Sequence, residues 1–131
     1  MARKSWTLYS IFGGRSTWRL APEDLPIDAS GFVWRAPAGE PPDEDQVRVC
    51  ADILRGLRVT KTSGLYSYSA KHRVESAVGQ YVSNGALIEA ARRVGVPIAC
   101  SDGNPNGFLF VDRRDFRRRL QEAISGRNHS E

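Results

Sequence analysis

Tyr66, Tyr68, Lys71, His72 and Glu75 form the densest concentration of chemistry-bearing side chains in the sequence. On a helix starting near Ala70, Lys71 and Glu75 stand at i,i+4, and His72 and Glu75 at i,i+3. A carboxylate can then polarise an imidazole beside tyrosine hydroxyls. That set could supply a general base. It equally describes a Lys71–Glu75 surface ion pair, worth about a few tenths of a kcal/mol, with His72 as a half-buried polar anchor. No second carboxylate motif, nucleophile elbow, Walker-type loop or G-x-G-x-x-G accompanies the cluster, which favours the ion pair. Phe12-Gly13-Gly14-Arg15 leads into another β-prone run instead of a helix N-terminus, so it reads as a hairpin turn and not as a phosphate cradle. Cys50, Cys100, His72 and His129 show no paired metal-ligand spacing. No metal or cofactor is expected, and both cysteines read as small core residues.

Charge supplies the second candidate. Residues 1–60 carry 8 Lys/Arg and 8 Asp/Glu, whereas residues 61–131 carry 11 and 7, so the whole net charge of +4 lies in the C-terminal half. Five of those basic residues, Arg113, Arg114, Arg117, Arg118 and Arg119, surround a narrow Phe116/Leu120/Ala123/Ile124 stripe on one helix predicted over 112–124. Arg92 and Arg93 end another predicted helix. Arginine forks suit phosphates and acidic protein surfaces alike, so the expected partner of these seven residues is nucleic acid or an acidic host protein.

The elements that must position these groups are read as follows. Residues 6–12 and 15–20 are β-prone runs around Gly13-Gly14, and 31–35 could add a third strand. A Pro-rich connector spans 36–44. Asp43 or Asp45 caps a helix running to 58, with Val47, Cys50, Ile53, Leu54 and Leu57 inward. After a polar break at 59–64, Ser67 or Ser69 is a plausible cap for a helix over 70–82 with Val74, Ala77, Val78 and Tyr81 on its packing face. Ser83-Asn84-Gly85 recaps a helix over 86–94, and 96–100 with 108–111 make a hairpin whose long tip is dense in turn formers. Helix, turn, helix and hairpin in that order are similar to a winged helix, with Arg92 and Arg93 as groove contacts.

Ser67-Tyr-Ser-Ala-Lys-His72, Glu75, Tyr81-Val-Ser-Asn-Gly-Ala-Leu-Ile-Glu-Ala-Ala91 and Pro105-Asn-Gly-Phe108 resemble a block found in small proteins of phages, plasmids and other bacterial mobile elements. The resemblance covers residues 67–108 and groups Tyr68, Lys71, His72, Glu75 and Asn84 as its polar cluster. It implies no catalytic role for them. It implies the work such small proteins do: regulating a DNA transaction, or blocking a host defence protein in the manner of an anti-CRISPR.

The sequence therefore predicts a small single α+β domain over 1–125, similar to a winged helix, with a β-rich part at 1–35, a helical part with a β-hairpin at 45–125, and a frayed tail at 126–131. No apolar run approaches the roughly 18 residues needed to cross a bilayer, and the first residues lack a signal-peptide stretch. The expectation is a cytoplasmic protein of a bacterial host cell with no membrane partner. The expected function is non-enzymatic nucleic-acid binding through the basic half, the alternative being protein–protein inhibition of a host defence system.

Overall fold

A computed structural model of the chain describes residues 5–9 and 15–129. Its α+β fold places four helices against a five-stranded antiparallel sheet, with a small separate hairpin. Strands β1 (Ser5–Tyr9) and β2 (Arg15–Leu20) pair as predicted; the Gly13-Gly14 turn lies outside the described residues. The third strand on β2 is β6 (Ile98–Cys100), joined through Arg19↔Cys100 and Leu20↔Ala99. Residues 31–35 do not fill that place. Gly31–Phe32 (β4) instead pairs with Ile27–Asp28 (β3) as an independent hairpin lying on the third helix. That position is stabilised from outside the sheet, because the Phe32 N–H donates to the Pro105 carbonyl at 2.8 Å.

Helix α1 (Glu44–Leu54) begins where Asp43 accepts the Gln46 N–H at 3.1 Å, with Glu44 and Asp45 complementing its dipole. It stops at Leu54 and not at 58, since Arg55 turns extended. Leu65–Tyr66 (β5), predicted only as a helix entry, is a strand on β7 (Phe108–Leu109), and β7 pairs with β6. Helix α2 (Ser67–Val78) thus starts earlier than expected. Neither Ser67 nor Ser69 caps it: the cap position is Tyr66, and the Ser67 hydroxyl accepts the Gly107 N–H at 2.9 Å. Gly79, at φ +74°, closes α2 in the left-handed region, so the helix ends at Val78, four residues before 82. Tyr81 consequently leaves the packing face and is 64% exposed.

Helix α3 (Asn84–Arg93), capped by Ser83, is the fold's centre: Ala86, Leu87, Ile88, Ala90 and Ala91 are all fully buried. A helix closed in this way offers no recognition face to a DNA groove, so the winged-helix reading does not describe its packing. Helix α4 (Arg113–His129) runs past the predicted end, and residues 126–129 are helical where a frayed tail was expected. Arg127 Nη1 there donates to the Ser76 carbonyl at 3.4 Å.

Alternation along the strands divides the core. Leu65, Ile98, Cys100 and Leu109 face the helices. Trp18, Ala99 and Phe110 form a second cluster with Tyr66 and Phe108. Cys50 and Cys100 are buried as expected, and burial pushes the Cys50 thiol up to about 12. No helix among the described residues is long and apolar enough to cross a membrane.

Candidate functional site

The N-terminal turn of α4 is tied to the segment after α1 by reciprocal bonds. The Asp112 N–H donates to the Arg58 carbonyl at 2.8 Å, and the Arg58 N–H donates to Asp115 Oδ2 at 3.0 Å. Asp112 caps the helix by accepting the Asp115 N–H at 3.0 Å. That bond above all holds its carboxyl below the usual aspartate range; burial opposes it, and the Arg114 N–H and the Arg58 guanidinium reinforce it. Val59 bridges to Val111 alongside. The result is a cleft of about 450 Å³ in which Arg58, Arg113, Arg114, Arg118 and Ser63 surround Asp112 and Asp115. The two carboxylates act as anchors: Arg118 Nη2 donates to Asp115 Oδ1 at 2.9 Å, and Arg58 reaches Asp112 at 3.8 Å. Four guanidinium groups against two carboxylates leave the cleft cationic, and all four arginines are exposed.

Most of the predicted contact arginines have internal partners. Arg113 Nε donates to the Gly64 carbonyl at 2.8 Å. Arg119 Nη1 donates to the carbonyls of Asp52, Ile53 and Arg55 at 3.0, 3.2 and 2.9 Å, and so covers the open end of α1. Arg92 Nη1 does the same for Glu23 and Leu25 at 3.0 and 2.8 Å, while its other nitrogens hold Glu89. Arg93 grips Glu44 with both terminal nitrogens at 2.8 Å and Glu89 with Nε at 2.8 Å. Glu44 first, then Glu89, raises the Arg93 pKa, and Arg93 in turn lowers that of Glu44. Arg92 and Arg93 line grooves other than the cleft of Arg113, Arg114 and Arg118. Among the described residues, the Arg114 and Arg117 guanidiniums make no hydrogen bond or ion pair. Arg119→Ala should therefore lower the free energy of unfolding by about 2 kcal/mol, the range for charge-assisted bonds to otherwise uncapped carbonyls, as measured by urea denaturation. A loss below about 0.5 kcal/mol would show the clamp to be dispensable.

The polar cluster does come together. Lys71 Nζ donates to Glu75 Oε1 at 2.8 Å and to the Val82 carbonyl at 3.4 Å, with its side chain only 8% exposed. His72 Nδ1 lies 3.3 Å from Glu75 Oε2, and the Tyr68 ring stands edge-on to the imidazole with centroids 4.6 Å apart. Burial pushes the Glu75 carboxyl up, but Lys71, the Val82 N–H and His72 outweigh it and hold the group below its ordinary value. Asn84 belongs elsewhere: its Nδ2 donates to the Ser30 and Pro105 carbonyls at 2.9 and 3.5 Å, fastening the β3–β4 hairpin and the 101–107 loop to α3. Tyr66 is also separate, its hydroxyl accepting the side-chain amides of Asn104 and Asn106 at 3.2 Å.

Arg58, Ser63, Arg73 and Tyr81 are candidate contact residues that sequence reasoning did not single out. Arg58 and Ser63 lie far from α4 in the chain, and the Val59–Val111 bridge with the backbone bonds of Arg58 to Asp112 and Asp115 brings them to it. Tyr81 followed from the position of Gly79, a helix stop at glycine that was readable. Compared with family models, curated proteins and solved structures, the chain matches none.

Proposed function

We propose that the protein is a non-enzymatic nucleic-acid-binding protein that takes phosphates in the cleft between residues 58–63 and the first turns of α4. The observation that carries this reading is the convergence of Arg58, Arg113, Arg114 and Arg118 in one concave, exposed place, where Asp115 orients Arg118, the Gly64 carbonyl orients Arg113, Asp112 lies 3.8 Å from Arg58, and the Arg114 guanidinium is left for a ligand. Guanidinium forks held in this manner suit phosphate oxygens, and contacts of this kind position a protein on nucleic acid without reading its sequence. The Glu75 carboxylate, taken up by Lys71, Val82 and His72, suits fastening of the α2–α3 connection better than proton transfer. The mobile-element resemblance supports a role in regulating a DNA transaction.

A labelled duplex and a single strand of about 20 nucleotides should bind at about 50 mM salt and lose affinity steeply as salt rises. The double variant Arg114→Glu/Arg118→Glu should bind at least about tenfold more weakly, with the salt slope reduced by about two. Fluorescence anisotropy measures both. Absence of binding to either nucleic acid, or an unchanged affinity in the double variant, would refute the reading.

A further inference from the structure

We infer that the surface running from Tyr81 across Tyr68 and His72 into the groove between α2 and α4 is a docking face for an acidic amphipathic helix of a partner protein. The inference stands apart from the phosphate cleft, because it uses different residues and a different chemistry. α2 and α4 lie side by side and leave a groove of about 320 Å³. Its floor is apolar: Ala77 and Leu120 are buried, and Ile124 is half-buried. Its rim is cationic: Arg73 and Arg117 are exposed, and no carboxylate lines it. Arg73 is steadied over the Phe116 ring, 5.2 Å from its centroid, while Arg117 has no ion pair among the described residues.

His72 links the groove to an aromatic pair. Its imidazole meets Tyr68 edge-on, and Lys71 Nζ lies 5.6 Å from the Tyr68 centroid and 4.8 Å from the Tyr81 centroid. The buried ammonium, held by Glu75, attracts the faces of two rings that are 49% and 64% exposed. Large exposed rings held in one place are unusual for a surface that contacts only water, and tyrosine with arginine around an apolar floor is the composition of interface hot spots.

Charge complementarity selects the occupant. A groove between two helices accepts a third, whose apolar residues at i, i+3/i+4 and i+7 would lie on the floor. Carboxylates flanking that stripe would meet Arg73 and Arg117, and a basic partner would be repelled. A phosphate backbone would satisfy the rim and leave half-buried Ile124 and the exposed Tyr68 and Tyr81 rings against water, which argues for a peptide over a nucleic acid.

The test uses the full chain and a labelled synthetic peptide of about four helical turns with leucines at those spacings flanked by glutamates. Binding is measured by anisotropy at about 150 mM salt, where non-specific charge attraction is largely screened. A scrambled peptide of the same composition should bind at least about tenfold more weakly. Arg73→Glu/Arg117→Glu should lose at least about tenfold, Arg73→Lys/Arg117→Lys should recover most of it, and Tyr81→Ala should lose about threefold. Arg114→Glu/Arg118→Glu, which tests the phosphate cleft, should leave peptide affinity within about twofold. Equal affinity for the scrambled peptide, no loss in the Arg73/Arg117 reversal, or no binding at millimolar peptide would overturn the inference. It would also fall if an oligonucleotide displaced the peptide and lost affinity in the Arg73/Arg117 reversal as much as in the Arg114/Arg118 one, since the groove would then belong to nucleic acid.

Discussion

Gly85→Ala is expected to lower the free energy of unfolding by about 3 kcal/mol or more, the upper range for overpacking. A β-carbon at this position would sit 1.7 Å from the Asp28 carbonyl oxygen and 2.7 Å from its carbon, both main-chain atoms. The first turn of α3 and the β3–β4 hairpin touch backbone to backbone here, where no side chain can rotate away. The Gly85 N–H donates to the Ala29 carbonyl at 3.0 Å in the same contact. Displacing the hairpin would break that bond, pull Ser30 from Asn84 and uncover Phe32, which is 4% exposed. Urea denaturation with an unchanged m-value is the measurement. Gly56→Ala is the comparison: at φ +78° it is strained, but its β-carbon would meet nothing within 4 Å. It should lose only about 1 kcal/mol. If the Gly85 variant lost no more than the Gly56 variant, the close approach would not matter to stability.

Glu75→Ala should be comparably damaging, at about 3 kcal/mol, because it leaves the Lys71 ammonium buried with one hydrogen-bond acceptor, the Val82 carbonyl at 3.4 Å, and no counter-charge beside the two tyrosine rings. The pair also makes stability depend on pH, with a definite sign. Glu75 has a lower pKa folded than unfolded, so the unfolded state binds more protons through the acid range and stability rises with pH there. The contribution is complete above the unfolded glutamate value of about 4.3 and disappears as pH falls through the folded value. Unfolding free energies followed from neutral pH to about pH 3 should therefore fall more steeply in the parent than in Glu75→Ala. Parallel pH profiles would remove Glu75 from the acid transition. A Lys71→Met/Glu75→Leu double variant should recover most of the stability lost in Glu75→Ala, since replacing both partners removes the stranded charge.

Both residues lie in the stretch that sequence reading located well, and the reason is local geometry. Lys71, His72 and Glu75 meet because helical spacing brings them together, and that spacing is written in the chain. The apolar periods of α1, α3 and α4 are equally local, and each helix appears where its pattern stands. Terminal residues are another matter. α1 stops at Leu54 with Gly56 at φ +78° just beyond it, a local stop, but its last carbonyls are held by Arg119, a residue far along the chain, so the clamp has no nearby signature. The same non-local demand explains the arginines. Composition shows how many there are, but it cannot show that open carbonyls at 23–25, 52–55 and 64 engage three of them. Two-residue strands such as β5 and β4 are too short for alternation to register. Their places depend on partners at 108–109 and 27–28.

The strand order β1-β2-β6-β7-β5 has a consequence for synthesis. β2 must wait for Ile98–Cys100, and β5 for Phe108–Leu109, before either finds its neighbour on the central pair. A nascent chain extending from the ribosome can assemble α1 and α3 early. It carries β2 and β5 as open strand edges until most of its length has been made. The sheet closes from the middle outward once residues 98–109 emerge, and any chain cut short of Ile98 presents both edges to other polypeptides, as aggregation-prone intermediates do.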